Sequence, residues 1–600
     1  MAEQSGQNLD LGVIGNCEVS ALVDRSASIV WMCLPKPDGD PVFSALLQPD
    51  LGRASRGVFA IDMIDLARTE QRYLRNTAIL ETVLHDARGG SIRVTDFCPR
   101  FRARGRTFRP MTLVRLIERV AGRPLFSVRL KPTSHYGAHD AVVTSGSHHL
   151  SFAGVDLRYR VTTDASISAL LEDRPVMIEE SLSFVLGPDE TVEETPAGLV
   201  RHFLEETRQY WQDWVRTLAV PVDYQLEVIR AAITLKLCTY EDTGAVMAAL
   251  TTSIPESRGS GRTWDYRYCW LRDAYFVIQA LNRLGATRTM EGYLHYIDHI
   301  VARSSSRDLQ PLYRLTGDTQ VAERCLDSLP GYLGMGPVRV GNQAAEQIQY
   351  DVYGSVILAA TQLFFDERLV RPGEHALFQQ LERLGERAAA VYELPDAGPW
   401  EFRGTEHVHT FSAAMSWAAC DRLALIASRL SLPERARHWR ERADAMRERI
   451  LTRAWSAKVN AFSAAFDGEQ LDAALLLLPE LGLLPATDPR FKATLAAIGS
   501  ELRSGDLLFR YRHSDDFGRP EAAFLVCGFW YVNALVAAGQ CEEAREHFAQ
   551  LLRRRNHLGL LSEDVDPATG ELWGNFPQTY SMVGVISCAL RISRHWEEVL

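Results

Sequence analysis

From residue 224 onward, apolar side chains recur every three or four positions, the period of helices that each bury one face. The pattern predicts twelve helices, near 224–238, 273–285, 288–303, 345–366, 374–394, 410–430, 432–454, 468–480, 489–502, 520–539, 541–555 and 578–597. The connections alternate in length. Those after the even-numbered helices are a few residues long, whereas those after the odd-numbered ones are long and rich in Gly, Pro, aromatic and charged residues. Short connections require antiparallel neighbours, so every long loop emerges at one end. Six such hairpins closed into a ring give an (α/α)6 toroid whose chemistry sits at the loop end.

Upstream the period changes. Residues 92–97, 113–120, 125–130 and 176–186 are runs of β-branched and large apolar side chains separated by turn residues, as in strands. Strands that follow one another without helices between them predict an antiparallel β-sandwich. Leu199, Phe203, Tyr210, Trp211 and Trp214 mark one face of a helix joining the two parts. The expected layout is a β-sandwich domain over 1–197, a helical linker over 198–223 and the toroid over 224–600. A length of 600 residues, too much for one hydrophobic core, fits that division.

Charge removes whole classes of partner. With 65 Lys and Arg against 76 Asp and Glu, the net charge is −11, the wrong sign for nucleic acid or an anionic membrane. Lys occurs only at 36, 131, 236, 458 and 492, which leaves little room for Schiff-base chemistry. The ten cysteines form no CxxC pair and no zinc-ligand spacing and read as reduced core thiols. Residues 1–12 lack the basic and apolar regions of a secretory leader. The apolar stretch 471–484 is broken by Pro479 and Glu480 and is too short to span a bilayer. A cytoplasmic protein is the expectation. His407-Val-His409 and His148-His149 place no third metal ligand, and Asp564 to Glu571 lacks EF-hand spacing, so no metal and no cofactor is expected.

The long loops carry the candidate chemistry. Trp264, Tyr268, Trp270 and Trp400 supply aromatic faces, and Arg272, Asp273, Gln349, Asp351 and Arg403 supply planar polar groups. A pyranose needs both, a ring for its C–H face and hydrogen-bonding partners for its hydroxyls; a nucleotide or peptide groove shares that composition. Glycosidic bond hydrolysis adds a demand for two carboxyl groups. Glu401 lies between Trp400 and Phe402, an apolar setting that favours a protonated acid. Glu563 lies beside Asp564 and near Asp566, a polar setting suited to an ionised base. The plainer alternatives are a Glu401–Arg403 salt bridge and an exposed acidic loop at Glu563.

Several separated motifs resemble glycoside hydrolase family 15, the glucoamylase and trehalase group. They are Ile14-Gly-Asn-Cys-Glu-Val-Ser-Ala-Leu-Val23, Ile29-Val-Trp-Met-Cys-Leu34, Tyr73-Leu-Arg-Asn-Thr77, Thr251-Thr-Ser-Ile-Pro-Glu256, Trp264-Asp-Tyr-Arg-Tyr-Cys-Trp-Leu-Arg-Asp273 and Gly574-Asn-Phe-Pro-Gln578. The resemblance implies Glu401 as general acid, Glu563 as general base, Gln349 and Asp351 as support beside the acid, and Trp270, Arg272 and Asp273 around the terminal glucosyl ring. It implies inversion, with the carboxyl groups about 6.5–9.5 Å apart to admit a water. Tyr580-Ser-Met582 departs from the Phe-Ser-His of many relatives, and the lost His bears on either the acceptor side or the packing of the last helix. The expected function is an exo-acting α-glucosidase of glucoamylase type that releases β-glucose. A trehalase of the same family is the alternative, followed by a disaccharide phosphorylase or a silent sugar-binding protein. The expected partners are an oligosaccharide or disaccharide substrate and, for assembly, a second copy of the chain as a homodimer.

Overall fold

The computed structural model describes residues 8–49, 55–155, 157–303 and 308–599. The leader reading, where it falls on residues 1–7, lies outside them. Two antiparallel sheets form the N-terminal part. One runs in the order Gly12–Gly15, Ser20–Val23, Ile29–Leu34, Val58–Met63, Leu125–Lys131, Val176–Met177, with Asp40–Phe43 also paired to Ile29–Leu34. The other runs Val142–Ser145, His149–Ala153, Arg158–Thr163, Ser181–Pro188, Leu113–Ala121, Ser91–Phe97, Leu80–Asp86, Leu66–Tyr73. They face each other as a sandwich: Phe59 of the first meets Phe184 of the second edge-on, with ring centroids 5.7 Å apart. Arg115, fully buried with its partner Asp96, reaches across to the carbonyl oxygens of Phe59 and Ala27.

The single strand expected over 176–186 is two strands in different sheets, Val176–Met177 and Ser181–Pro188. The exposed Glu179 and Glu180 interrupt the apolar alternation, and the chain changes sheet there. The joining helix, Pro196–Arg216, starts at Thr195, whose side chain accepts the Gly198 N–H, with Pro196 in the first turn where no donor is lost. Val200, Thr207, Trp211 and Val215 are its buried line. Leu199, Phe203 and Leu204 pack beside Val200 on Phe97, Val114 and Leu116 of the eight-stranded sheet and on Ile79 just before its strand Leu80–Asp86.

The helices then close the expected toroid. Leu271–Arg283, Asp351–Phe365, Thr410–Arg429, the segment 473–481, Leu525–Ala537 and Thr579–Ile592 form an inner ring in which each packs on the next and the last on the first. Gln225–Leu237, Thr287–Arg303, His375–Val391, Pro433–Arg453, Pro489–Glu501 and Cys541–Leu552 form the outer one. The helix expected at 468–480 is shorter. Asp472 caps the segment by accepting the Ala474 N–H at 2.7 Å. A 3-10 turn, Ala473–Leu477, leads into the α-turn Leu478–Leu481, with Pro479 in its first turn.

The sandwich and the toroid are joined by buried polar contacts. The Trp31 indole donates to the Leu250 carbonyl at 2.8 Å. Arg267 and Asp265, both with fully buried side chains, form a two-point ion pair at 2.9 and 2.8 Å. The same guanidinium donates to the Gly39 carbonyl at 2.7 Å and to the Tyr136 hydroxyl at 3.3 Å in the sandwich. Removing one partner strands a buried charge. Arg267→Ala is therefore expected to cost about 3–5 kcal/mol, read as a lowered thermal midpoint, while a double replacement of Asp265 and Arg267 by apolar residues recovers most of it.

Candidate active site

The segment from Trp264 to Arg267 is extended, so alternate side chains face opposite ways. Asp265 and Arg267 point toward the sandwich, whereas Trp264 and Tyr266 line a cavity at the loop end of the toroid. Trp270, just before the helix Leu271–Arg283, lines it too. Tyr266 and Trp270 form an edge-to-face pair with centroids 5.3 Å apart, and each gives its one polar hydrogen to a different carboxyl group. The Trp270 indole donates to Glu401 Oε1 at 2.6 Å, and the Tyr266 hydroxyl donates to Glu563 Oε1 at 2.7 Å.

Glu401 sits in a tight turn with φ of 63°, left-handed backbone that a side-chain-bearing residue adopts at a cost. Gly398, with φ of 69°, leaves room for the His409 ring, which would lie 2.6 Å from an added Cβ. Burial pushes the His409 pKa down to about 4, so a neutral ring stacks on Phe402. Gln347 donates to the carbonyls of Glu401 and Phe402 at 3.1 and 3.2 Å, and Gln349 donates to Gln347 at 3.1 Å. Arg272 completes the circuit, donating to Gln349 at 2.9 Å and to Glu401 Oε1 at 3.1 Å. The apolar setting expected for Glu401 is thus corrected, since its carboxyl meets a guanidinium and an indole N–H. The same guanidinium lies 3.5 Å from Asp273 and 3.7 Å from Asp351. Burial outweighs its pull on both carboxyls, raising Asp273 to about 7 and Asp351 above its usual value.

Glu563 also departs from expectation. It is 1% exposed, not on a polar surface loop, because Gly574 closes over it. An added Cβ at Gly574, whose φ is 74°, would lie 2.6 Å from Glu563 Cβ and 2.8 Å from its Oε2. Burial first, then the charge of Glu256, raises the Glu563 pKa, against hydrogen bonds from Tyr266 and the Asn575 N–H. Glu256 is itself held by Arg510 at 2.7 Å and by the Trp264 indole at 2.8 Å.

Of the expected residues, Trp264, Trp270, Arg272, Asp273, Trp400, Glu401 and Arg403 line the cavity. Tyr268 does not: its ring is 2% exposed and its hydroxyl accepts the Gly341 N–H at 3.1 Å. Gln349, Asp351 and Glu563 lie behind the wall, Glu563 behind Tyr266. Arg403 is bound at 3.1 and 2.8 Å to Glu323 and lies 4.4 Å over the Trp264 ring; the salt bridge considered between it and Glu401 is replaced by Arg272. Met582 is fully buried in the core, whereas Tyr580 lines the cavity. Sequence reasoning gave no role to Tyr266 or Glu256, although both lie in motifs that carry the family resemblance and the two-residue alternation from Trp264 points to Tyr266; Gln347 and Arg510 were also passed over.

Comparison with known proteins fixes the family. A model for glycosyl hydrolases family 15 matches residues 223–590, and one for the trehalase-like N-terminal region matches residues 4–159. The chain belongs to glycosyl hydrolase family 15. Within the family it is similar to a trehalase from Thermoplasma volcanium, 31% identical over 97% of this chain and 93% of that one. It is equally similar to a Mycolicibacterium smegmatis trehalase, 31% identical over 98% and 92%. In fold it resembles a bacterial glucoamylase solved in complex with acarbose, at a TM-score of 0.69 and 15% identity over 98% of this chain and 94% of that chain. This family member is a glycosyl hydrolase, and no helix among its described residues is long and apolar enough to cross a membrane.

The close approach at Gly574 is testable. Gly574→Ala displaces Glu563, the expected general base, and for a catalytic group a misplacement near 1 Å costs about 100-fold in rate. The expected result is that loss in kcat/KM with a folded protein by circular dichroism.

Proposed function

We propose that this protein hydrolyses α,α-trehalose to two molecules of glucose with inversion, Glu401 acting as general acid and Glu563 as general base. The reading is supported above all by end-to-end similarity to proteins named trehalases, over more than nine-tenths of both chains. This favours the trehalase alternative over the glucoamylase-type reading expected first. A cavity with Arg272 and Asp273 in its wall, beside the rings of Trp264 and Trp400, suits a small, neutral, hydroxyl-rich substrate.

The roles follow from access. The acid must touch the bridging oxygen, and Glu401 lines the cavity with a side chain 21% exposed. The base acts on a water rather than on the sugar, and Glu563 is one hydrogen bond from Tyr266, which lines the cavity. Glu401 gives its proton to the bridging oxygen as the C1–O bond breaks. A water oxygen bonds to C1 from the opposite face and passes its proton to Glu563. One product leaves as β-glucose and the other, whose own anomeric bond is untouched, as α-glucose. Proton NMR in the first minutes of reaction is expected to show the two anomers in equal amounts; α-glucose alone would refute inversion.

One observation favours a second reading with the roles exchanged. Burial and the charge of Glu256 hold Glu563 toward its neutral form, while Glu401 contacts Arg272. α-Glucosyl fluoride separates the two, because fluoride leaves without protonation. Glu401→Gln is expected to lose trehalose turnover yet keep fluoride hydrolysis, and Glu563→Gln to lose both; the opposite pattern exchanges the roles.

The pH profile carries the sign of the Glu563 shift. Its raised pKa means the carboxylate forms only as pH rises above the ordinary 4.5, so the acid limb of kcat/KM lies above that value. Glu256→Gln removes a repelling charge and frees Arg510, and both effects move the limb to lower pH.

A further inference from the structure

The mouth of the cavity is built by a turn that the reaction scheme leaves unused. Asp515 and Gly518 exchange two backbone hydrogen bonds of 3.1 Å, presenting Asp516 and Phe517 at the tip. Three ties fix this turn. Arg262 binds the Asp515 carboxylate and donates to the Gly518 carbonyl at 2.8 Å. Asp516 Oδ2 accepts the Arg403 N–H at 2.6 Å, two residues beyond Glu401 on the same loop. Phe517 meets the Trp264 ring edge-on, centroids 5.0 Å apart and planes at 79°.

Gly404 shows that the second tie is built in. A Cβ at that position would lie 2.4 Å from Asp516 Oδ1, so the glycine leaves the space that the carboxylate fills. The arginines beside the turn are occupied, Arg262 by Asp515 and Arg403 by Glu323. What remains toward the cavity is an aromatic corner, with Phe517 still 38% exposed. Asp515, Asp516 and Phe517 all line the cavity, whose inner wall is Arg272, Asp273 and Tyr580. Glu401 is intermediate in exposure between those buried residues and Phe517. A sugar ring leaving with the Glu401 proton therefore departs past Arg403, Trp264 and Phe517.

We propose that the 515–518 turn is the leaving-sugar subsite: Phe517 is the platform for the second ring, and Asp516 is a positioning residue that locks that platform to the loop of the acid. The proposal rests on the disaccharide reading above.

The test again uses α-glucosyl fluoride, which presents a donor ring and no second sugar. Phe517→Ala is expected to lower the ratio of trehalose to fluoride kcat/KM at least about tenfold, as loss of one ring contact of ~1.4 kcal/mol does. Asp516→Ala lowers the same ratio, and Asp516→Asn, whose amide oxygen can still accept the Arg403 N–H, restores it. An unchanged ratio in Phe517→Ala overturns the proposal, whether both rates fall together or neither falls. If the wild-type protein spares trehalose and cleaves another α-glucobiose, the substrate reading fails alone, and the ratio measured with that sugar decides the subsite.

Discussion

The buried pair of Asp265 and Arg267 is the contact on which the rest of the architecture depends. Neither side chain has access to water, so each needs the other, and the guanidinium spends its remaining donors on the sandwich. Their backbone is the extended segment that carries Trp264 and Tyr266 into the cavity. Fixing the odd positions against the sandwich thereby fixes the even ones in the cavity wall. Arginine suits such work because its planar fork holds a carboxylate at two points and has donors left over. Arg115 and Arg100 repeat the device, the first binding Asp96 and two carbonyls, the second binding Glu241 and the Asn16 carbonyl. An arginine-rich, lysine-poor chain thus puts some of its guanidinium groups inside.

Helix periodicity and the alternation of loop lengths were enough to read the toroid, because inner and outer helices are separate solutions to burying one face or all faces. The deviations come where a local polar group overrides the pattern: Glu179 and Glu180 at the sheet crossing, and Asp472 with Pro479 in the segment 473–481. The site was legible as a set of loops, less so as electrostatics. Glu401 looks apolar between Trp400 and Phe402, yet those rings turn to Asp472 and His409, and its real neighbour, Arg272, is far away in sequence. Glu563 looks exposed among acids, yet the absent side chain of Gly574 lets the backbone cover it. Neighbours along the chain predicted neither environment, because in a loop-built site they diverge.

Around the cavity, charge is shared rather than paired. Arg272 stands among Asp273, Asp351 and Glu401, and Arg510 serves Glu256 within reach of Glu563. Carboxyl groups outnumber the cations at both sides of the Tyr266–Trp270 pair. Protons are therefore retained in the site at pH values where exposed carboxyls have lost theirs, as acid–base chemistry on a neutral sugar requires.

The left-handed turn at Glu401 has a consequence for how this protein tolerates change. A side chain there costs about 1–2 kcal/mol that glycine would not incur. Selection for a sturdier fold alone would drift position 401 toward glycine and lose the carboxyl group. With Glu401 as the proposed general acid, screens that enrich for heat resistance without assaying turnover are drawn toward inactive variants at this position, a local trade between robustness and catalysis written into one backbone angle.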